Sequence, residues 1–285
     1  TILSLFGASP LKKTLPKKYY QNAIAAEKII LFLIDGLGFN LFQKATLDYP
    51  FFRNLKNNGF TSNITTIFPS RTAAALNSLY SGLAPLEHGL PEWYVYFPEL
   101  DAVLESLPFT PVDPKDLEKT LNPPKDILFR DKTIFQLLSE VEISSFGLIP
   151  QDLVNSLYTQ TSLFGSVLVG YENLDGLANL LIKLLNETKG KTLITVYYPR
   201  IDSAEHKFGH LSEEVQAEIA ELGSVLQNQF IERINLSLAT QVALMLTSDH
   251  GQVTVNSKDN IYLDEIPGLV DCLKVSKNGK PIPPT

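Results

Sequence analysis

Residues 28–36 read KIILFLIDG, an apolar run that ends in an acidic residue and a glycine. A near-continuous run of β-branched, aliphatic and aromatic residues is typical of a strand buried on both faces, as in a parallel sheet. Similar runs occur at residues 144–149 (SSFGLI), 192–198 (TLITVYY) and 242–247 (VALMLT). Helical patterns separate them. We therefore predict an α/β fold, a doubly wound and mostly parallel sheet with helices on both faces.

The composition is that of an ordinary folded protein. The 285 residues include 24 basic and 31 acidic side chains, a net charge of −7, with 44% hydrophobic residues. This balance excludes intrinsic disorder, and the length suits one α/β domain over residues 1–285. No apolar run approaches the ~18–20 residues needed to cross a bilayer, so we predict no membrane span. The acidic charge argues against a stable nucleic-acid complex.

Cys272 is the only cysteine, which excludes a disulfide within the chain and a metal site built from several thiolates. Any metal must be held by carboxylates, imidazoles or hydroxyls. The single cysteine and the lack of a visible signal sequence favour the cytoplasm, with a processed secreted form as the alternative. The oligomeric state is left open.

Two segments do not fit the alternation of predicted strands and helices. Residues 91 to about 130 are rich in proline and aromatic residues without a clear period, and we interpret them as an inserted lid rather than a separate domain. Residues 279–285 (GKPIPPT) are typical of a loop, so we expect a C-terminal part of the natural protein to follow them.

Acidic residues follow three of the predicted strands, namely Asp35, Asp202 and Asp249, and two histidines, His206 and His250, lie beside them. Parallel strands present their carboxyl ends at one edge of the sheet, where ligands bind. Carboxylates gathered there repel one another unless cations lie between them. Any one of these signals could be an ordinary turn. Their coincidence favours a site for two divalent metal ions, zinc or, as an alternative, manganese.

A hydroxyl beside such a metal can act as a nucleophile, and a helix N-terminus favours its anionic form. The segment TTIFPSRTAAALNSLYSG, residues 65–82, offers Thr66, Ser70 and Thr72 at the start of an alanine-rich helix. The alternative is structural, with Ser70 as the helix cap and Thr72 as a residue of the first turn.

Four motifs occur in a fixed order between residues 28 and 252: Leu33-Ile34-Asp35-Gly36; Phe68-Pro69 with the helix that ends in Ser81-Gly82-Leu83 and is followed by Pro85, His88 and Gly89; Asp202-x-x-x-His206-x-x-Gly209; and Ser248-Asp249-His250-Gly251. In this order they resemble the alkaline phosphatase superfamily, most closely its nucleotide pyrophosphatase/phosphodiesterase branch.

The resemblance implies a role for each matching residue. The family nucleophile stands ten residues before the glycine that closes the helix, which selects Thr72 and leaves Ser70 second. Asp35, Asp249 and His250 would hold one metal, which also contacts Thr72. The second metal would be held by Asp202 and His206.

Two positions depart from the family pattern. The family completes the second metal site with a late histidine, but no histidine follows His250. The missing ligand is expected beyond residue 285, with an incomplete site as the alternative. Where the branch places an asparagine that binds a phosphate oxygen, the sequence has Trp93. Its indole N–H could serve as the donor, although packing within the lid is the more ordinary role.

The resemblance implies a metal-dependent phosphodiesterase or nucleotide pyrophosphatase that forms a covalent phospho-threonine. Its partner would be a small phosphate ester or a nucleotide. Two alternatives stay open: a phosphomonoesterase or phosphonate hydrolase with the same metal core, and a catalytically inactive module that binds metal or nucleotide.

Overall fold

The computed structural model describes residues 1–124, 126–262 and 265–273. Its strands in chain order are β1 (Lys28–Ile34), β2 (Tyr94–Phe97), β3 (Ala102–Glu105), β4 (Thr110–Pro111), β5 (Ser144–Pro150), β6 (Val167–Tyr171), β7 (Thr192–Tyr198) and β8 (Val242–Thr247). Its α-helices are α1 (Ile2–Leu5), α2 (Phe39–Asp48), α3 (Pro50–Asn58), α4 (Thr72–Ser81), α5 (Pro85–His88), α6 (Ile134–Ser139), α7 (Leu157–Ser162), α8 (Leu174–Glu187), α9 (Arg200–Phe208), α10 (Glu213–Val225) and α11 (Leu236–Ala239).

Five of these strands form one parallel sheet in the order β6-β5-β7-β1-β8. The predicted α/β fold is therefore confirmed. Strand β6, a half-exposed edge strand with a glycine at position 170, was not predicted from the sequence. Helices α2 and α3, which follow β1, were not predicted either.

Side chains of β1 alternate between two hydrophobic cores. Ile30, Phe32 and Ile34 pack on one face of the sheet. Ile29, Leu31 and Leu33 pack on the other. The first core is covered by α2, α3, α8 and α10, and the second by α4 and α6. Burial on both faces explains why β1 is apolar at every position after its lysine.

Lys28, the first residue of β1, is buried, with an exposed fraction of 4%. Its Nζ donates hydrogen bonds to the carbonyl oxygens of Leu185, at 2.5 Å, and Thr188, at 2.8 Å. Both carbonyls belong to the C-terminal end of α8, where backbone acceptors lack helical partners and the helix dipole favours a cation.

The long helical segment that follows α9 is a regular α-helix only over its first part. Helix α10 begins after Ser212, whose hydroxyl accepts a hydrogen bond from Val215 N, as its N-cap pattern predicts. The α-helix ends at Val225 and continues as a π-helical turn over Leu226–Phe230 and a 3-10 turn over Ile231–Arg233.

The inserted region at 91–130 contains regular structure that the sequence analysis did not predict. Strands β2, β3 and β4 form a small antiparallel sheet, followed by a 3-10 helix at Pro114–Thr120. Its apolar side chains, among them Val95, Phe97 and Leu104, join the second core beside β1. Whether this region acts as a lid stays a prediction.

Among the described residues, the structure contains no helix with the length and apolar character that crossing a bilayer demands.

Helix α2 offers a matched test of burial. Leu41 is 3% exposed and packs in the first core, whereas Leu47, on the same helix, is 70% exposed. We expect Leu41→Ala to lower the free energy of unfolding by about 2–5 kcal/mol, because it leaves a cavity. Leu47→Ala should change it by less than about 0.5 kcal/mol. Urea unfolding followed by circular dichroism measures both, and equal losses would contradict this packing.

Candidate metal centre

The three acidic strand ends come from neighbouring strands of the sheet, β7, β1 and β8. Asp35 directly follows β1, Asp249 and His250 follow β8, and Asp202 lies in the first turn of α9, after β7. One ligand atom from each of Asp35, Asp202 and His250 lies within 4.8 Å of the others. The predicted convergence at one sheet edge therefore occurs.

Close backbone contacts bring these loops together. A Cβ atom at Gly38 would lie 2.7 Å from Gly251 Cα, so the loops after β1 and β8 meet backbone to backbone. Gly36 has φ +77°. A Cβ there would lie 2.9 Å from Asp202 Cα, so the β1 loop also packs tightly on α9. Larger residues at these positions would separate the acidic side chains.

Thr72 is placed beside this cluster. Its Oγ1 lies 3.0 Å from His250 Nε2 and 3.5 Å from Asp35 Oδ1. Thr72 is the first residue of α4, and Arg71 occupies the N-cap position without a capping hydrogen bond from its side chain. The alternative interpretation of Ser70 as the helix cap is therefore wrong.

The other hydroxyl candidates lie elsewhere. Ser70 is exposed. Thr66 donates a hydrogen bond through Oγ1 to the backbone carbonyl of Asp249, which gives it a role in fixing the loop after β8. Within the described part of the chain, Thr72 is the one candidate of the three whose hydroxyl contacts the side chains of predicted metal ligands, whereas Thr66 contacts only a backbone carbonyl.

Burial and like charge raise the pKa of Asp35 well above its usual value. Loss of solvation contributes most, followed by the charges of Asp249 and Asp202. Tyr197 partly opposes this shift, because its hydroxyl donates a 2.6 Å hydrogen bond to Asp35 Oδ2. The cluster therefore stores electrostatic repulsion that a cation would relieve.

Asp249 provides a test of whether a cation fits. Its Oδ1 accepts a 3.2 Å hydrogen bond from Gly36 N. Its Oδ2 is buried and has no hydrogen-bond partner, although His250 Nε2 is 3.3 Å away. An orphaned carboxylate oxygen beside an imidazole and further carboxylates matches the donor set of a divalent metal such as zinc. The residues present fit such an ion.

The residues predicted for a second metal are only partly gathered. Asp202 Oδ1 accepts a 2.7 Å hydrogen bond from Gln252, and Asp202 Oδ2 lies 3.5 Å from His206 Nε2. The His206 side chain is 68% exposed and is not part of the three-residue cluster. Its role as a metal ligand stays a prediction.

The two remaining histidines, His88 and His210, make local contacts. His88 Nε2 lies 3.1 Å from Ser78 Oγ, and its Nδ1 accepts a hydrogen bond from Leu90 N. His210 Nδ1 lies 2.5 Å from Glu205 Oε1.

Trp93 lies before β2, with 37% of its surface exposed. Its backbone N donates to Glu92 Oε1, and the same carboxylate oxygen lies 3.0 Å from Arg71 Nε. This bridge ties the loop of Trp93 to the residue before Thr72. Contact of the indole with a substrate stays a prediction.

Three residues of the centre were not found from the sequence: Tyr197, Glu205 and Gln252. Tyr197 lies within a strand that is mostly apolar along its length, so the sequence does not show towards which face of the sheet its side chain points. Glu205 carries a weak signal, since it stands three residues after Asp202 and so shares its helix face. Gln252 follows the last motif and has no chemical signature of its own.

Comparison with known proteins extends these observations. The family model of type I phosphodiesterase / nucleotide pyrophosphatase matches residues 29–282. Ectonucleotide pyrophosphatase/phosphodiesterase family member 1 of Rattus norvegicus is 26% identical over 252 residues, which cover 86% of this chain and 26% of that protein. The Homo sapiens protein is 25% identical over 249 residues, with the same coverage. The chain thus spans about a quarter of the length of these relatives.

Solved structures share the fold. Murine ectonucleotide pyrophosphatase/phosphodiesterase 5, solved as an inactive threonine-to-alanine variant in complex with AMP, has a TM-score of 0.64 at 18% identity. That match covers 84% of this chain and 60% of the murine chain. Phosphonoacetate hydrolase from Sinorhizobium meliloti 1021 has a TM-score of 0.56 at 16% identity, covering 86% and 59%. With the family model matched over most of its length, the chain belongs to the type I phosphodiesterase / nucleotide pyrophosphatase family.

Proposed function

We propose that the chain is a metal-dependent phosphodiesterase or nucleotide pyrophosphatase in which Thr72 forms a covalent phospho-threonine. One observation carries this proposal. The Thr72 hydroxyl, at the N-terminus of α4, lies 3.0 Å from His250 and 3.5 Å from Asp35. A hydroxyl in that position is both exposed to a helix dipole and adjacent to carboxylate and imidazole ligands.

Family membership supports the reaction class, and a relative supports the nucleophile. The murine family member that holds AMP is an inactive threonine-to-alanine variant. A nucleotide is accordingly the substrate class we propose for this chain.

The residues divide into two ligand groups. Asp35, Asp249 and His250 would hold one cation, and Asp202 with His206 would contribute to a second. When bound, two divalent cations lower the pKa of a nearby hydroxyl or water and offset the negative charge of a phosphoryl group. Two such ions carry +4 against −3 from the three aspartates, so an acidic protein can still accept an anionic substrate at this place.

Thr72 performs the covalent step. Its Oγ1 gives up a proton and attacks the phosphorus atom, the bond between phosphorus and the leaving oxygen breaks as the new one forms, and the leaving oxygen takes up a proton in its place. Water then attacks the same phosphorus, releasing the product and returning a proton to Oγ1. The free N–H groups at the start of α4 face the growing negative charge, which favours the transition state.

The ion pair of Arg71 bears on the choice between diesters and monoesters. A monoester carries an extra negative charge, for which an additional arginine is a suitable partner. Arg71 adjoins Thr72, but its guanidinium pairs with Glu92 at 3.0 Å. This pairing favours a diester or a nucleotide anhydride over a monoester.

Removing the nucleophile should stop turnover without emptying the metal centre. We expect Thr72→Ala to lower kcat on an aryl phosphodiester by at least about 10³-fold, the scale seen when a catalytic hydroxyl is deleted. Metal content, measured by mass spectrometry, should stay unchanged. Ser70→Ala, two residues away on the exposed loop, is the matched control and should retain activity.

The opposite pattern, with activity lost in Ser70→Ala and kept in Thr72→Ala, would refute the assignment. Faster hydrolysis of an aryl monoester than of the diester would favour the phosphomonoesterase alternative. A wild-type chain that binds cations and hydrolyses neither compound, nor a phosphonate, would be the inactive binding module.

We expect Tyr197 to increase the cation affinity of the metal centre through its hydrogen bond to Asp35. Because its hydroxyl orients Asp35 Oδ2, Tyr197→Phe should weaken cation affinity by about 10–100-fold. Tyr198→Phe is the control, since that hydroxyl donates to Glu218 and its ring lies in the first core. Isothermal titration of metal-free protein with Zn²⁺ measures both. Equal affinities of the two variants would show that the hydrogen bond to Asp35 does not matter for binding.

Because the pKa of Asp35 is raised, the free energy of unfolding of the metal-free protein should depend on pH. In the metal-free protein the folded state holds the Asp35 proton more tightly than the unfolded state does. Stability contributed by this proton is therefore lost as pH rises from about 4 through the raised folded pKa. Asp35→Asn removes the effect. In EDTA at neutral pH it should raise the free energy of unfolding by about 1–3 kcal/mol, the scale of an unpaired buried polar group.

The advantage of Asp35→Asn over wild type should shrink as the pH is lowered towards 4, as followed by thermal unfolding. Asp48→Asn, at an exposed position, controls for the change of charge and should differ from wild type by less than about 0.5 kcal/mol. A difference between Asp35→Asn and wild type that does not depend on pH would contradict the assignment.

A further inference from the structure

Glu205 is a buried carboxylate that the proposed reaction does not use. It lies on α9, one helical turn after Asp202, with an exposed fraction of 2%. Its Oε1 is 2.5 Å from His210 Nδ1. Its Oε2 is buried and, among the described residues, has no hydrogen-bond partner.

The unpartnered oxygen of Glu205 lies against Gly36, the residue that follows Asp35. A Cβ atom at Gly36 would lie 2.6 Å from Glu205 Oε2, so this oxygen occupies the space that a side chain directly after Asp35 would fill. Residues three apart on a helix share a face, which places Glu205 beside Asp202.

Two carboxylate oxygens in the described part of the chain are buried without a hydrogen-bond partner, Asp249 Oδ2 and Glu205 Oε2. A buried polar atom without a partner is costly, and a missing ion is one of its ordinary explanations. The oxygen of Asp249 lies beside His250, in the first ligand group. The oxygen of Glu205 lies beside Gly36, and Glu205 shares helix α9 with Asp202, a residue of the second group. Each group thus has one carboxylate oxygen available for a cation.

We propose that Glu205 is a ligand of the second cation, together with Asp202, and that His210 orients it. The inference rests on the proposed metal-dependent function and deepens it by naming a ligand. It names a buried donor for the second cation, whose other predicted ligand on helix α9, His206, is largely exposed. A carboxylate ligand oriented by an imidazole is the reverse of the common pairing, in which a carboxylate orients a ligating histidine.

The test is a Zn²⁺ titration of EDTA-treated protein by calorimetry, with the metal retained after dialysis measured by mass spectrometry. Wild type should bind two equivalents. Glu205→Gln, which keeps size and polarity, should retain the first and bind the second more than about 100-fold more weakly, since losing a ligand costs at least as much as losing its outer partner. Glu221→Gln is the matched control, since Glu221 is half exposed and lies 3.5 Å from Arg200.

His210→Ala separates ligation from packing. If Glu205 is a ligand, this variant should keep two equivalents, with the second weakened by about 10–100-fold. Two equivalents of unchanged affinity in Glu205→Gln would overturn the inference and leave Glu205 as a structural partner of His210. If Glu205→Gln does not fold, as judged by circular dichroism, Glu205→Asp takes its place. That variant withdraws the carboxylate by one methylene, and unchanged second-site affinity in it would overturn the inference equally.

The outcomes also separate this inference from the proposed function. A wild-type protein that binds fewer than two equivalents of Zn²⁺ would overturn the two-cation centre and the ligand role of Glu205 with it. A wild-type protein that binds two equivalents and cleaves diesters, with a Glu205→Gln variant that also binds two at unchanged affinity, would overturn the ligand role alone.

Discussion

The centre of this protein is held together against electrostatic repulsion by contacts between backbones. Asp35, Asp202 and Asp249 gather at a place where burial and mutual charge raise the pKa of Asp35. The loops that carry them cannot separate easily, because Gly38 meets Gly251 and Gly36 meets helix α9 at distances that exclude a side chain. The packing of the fold imposes this arrangement, and a cation would remove its electrostatic cost. A site that is unfavourable without its ligand is common where function has priority over stability.

The large features of the fold could be predicted from the sequence because burial on both faces leaves a strong pattern. Strands β1, β5, β7 and β8 were found as apolar runs, with ends within one residue of those observed. Strand β6 lies at the edge of the sheet, where half exposure weakens that pattern. The short strands of the inserted region are stabilised by packing on the second core, a long-range effect that no local window contains.

The candidate site could be predicted for those residues that directly follow the strands of the parallel sheet. Aspartates after parallel strands had to meet, because the sheet brings the ends of those strands together. The choice of Thr72 over Ser70 depended on the spacing within a family motif, and the hydrogen bonds of Thr72 now support it. Tyr197 and Glu205 could not be assigned from the pattern. Their importance depends on which way a side chain points inside a strand or helix, and on neighbours more than a hundred residues away in the sequence.

Strand β1 has a buried ammonium group at one end and a buried carboxylate at the other. Lys28 and Asp35 are seven residues apart, which in an extended strand is roughly 23 Å. At an effective dielectric constant near 20, two unit charges at that separation attract by only about 0.7 kcal/mol. Lysine and aspartate on the same strand are therefore electrostatically independent. The carbonyls of α8 stabilise the first charge locally, and the second requires a compensating positive charge at its own end of the sheet.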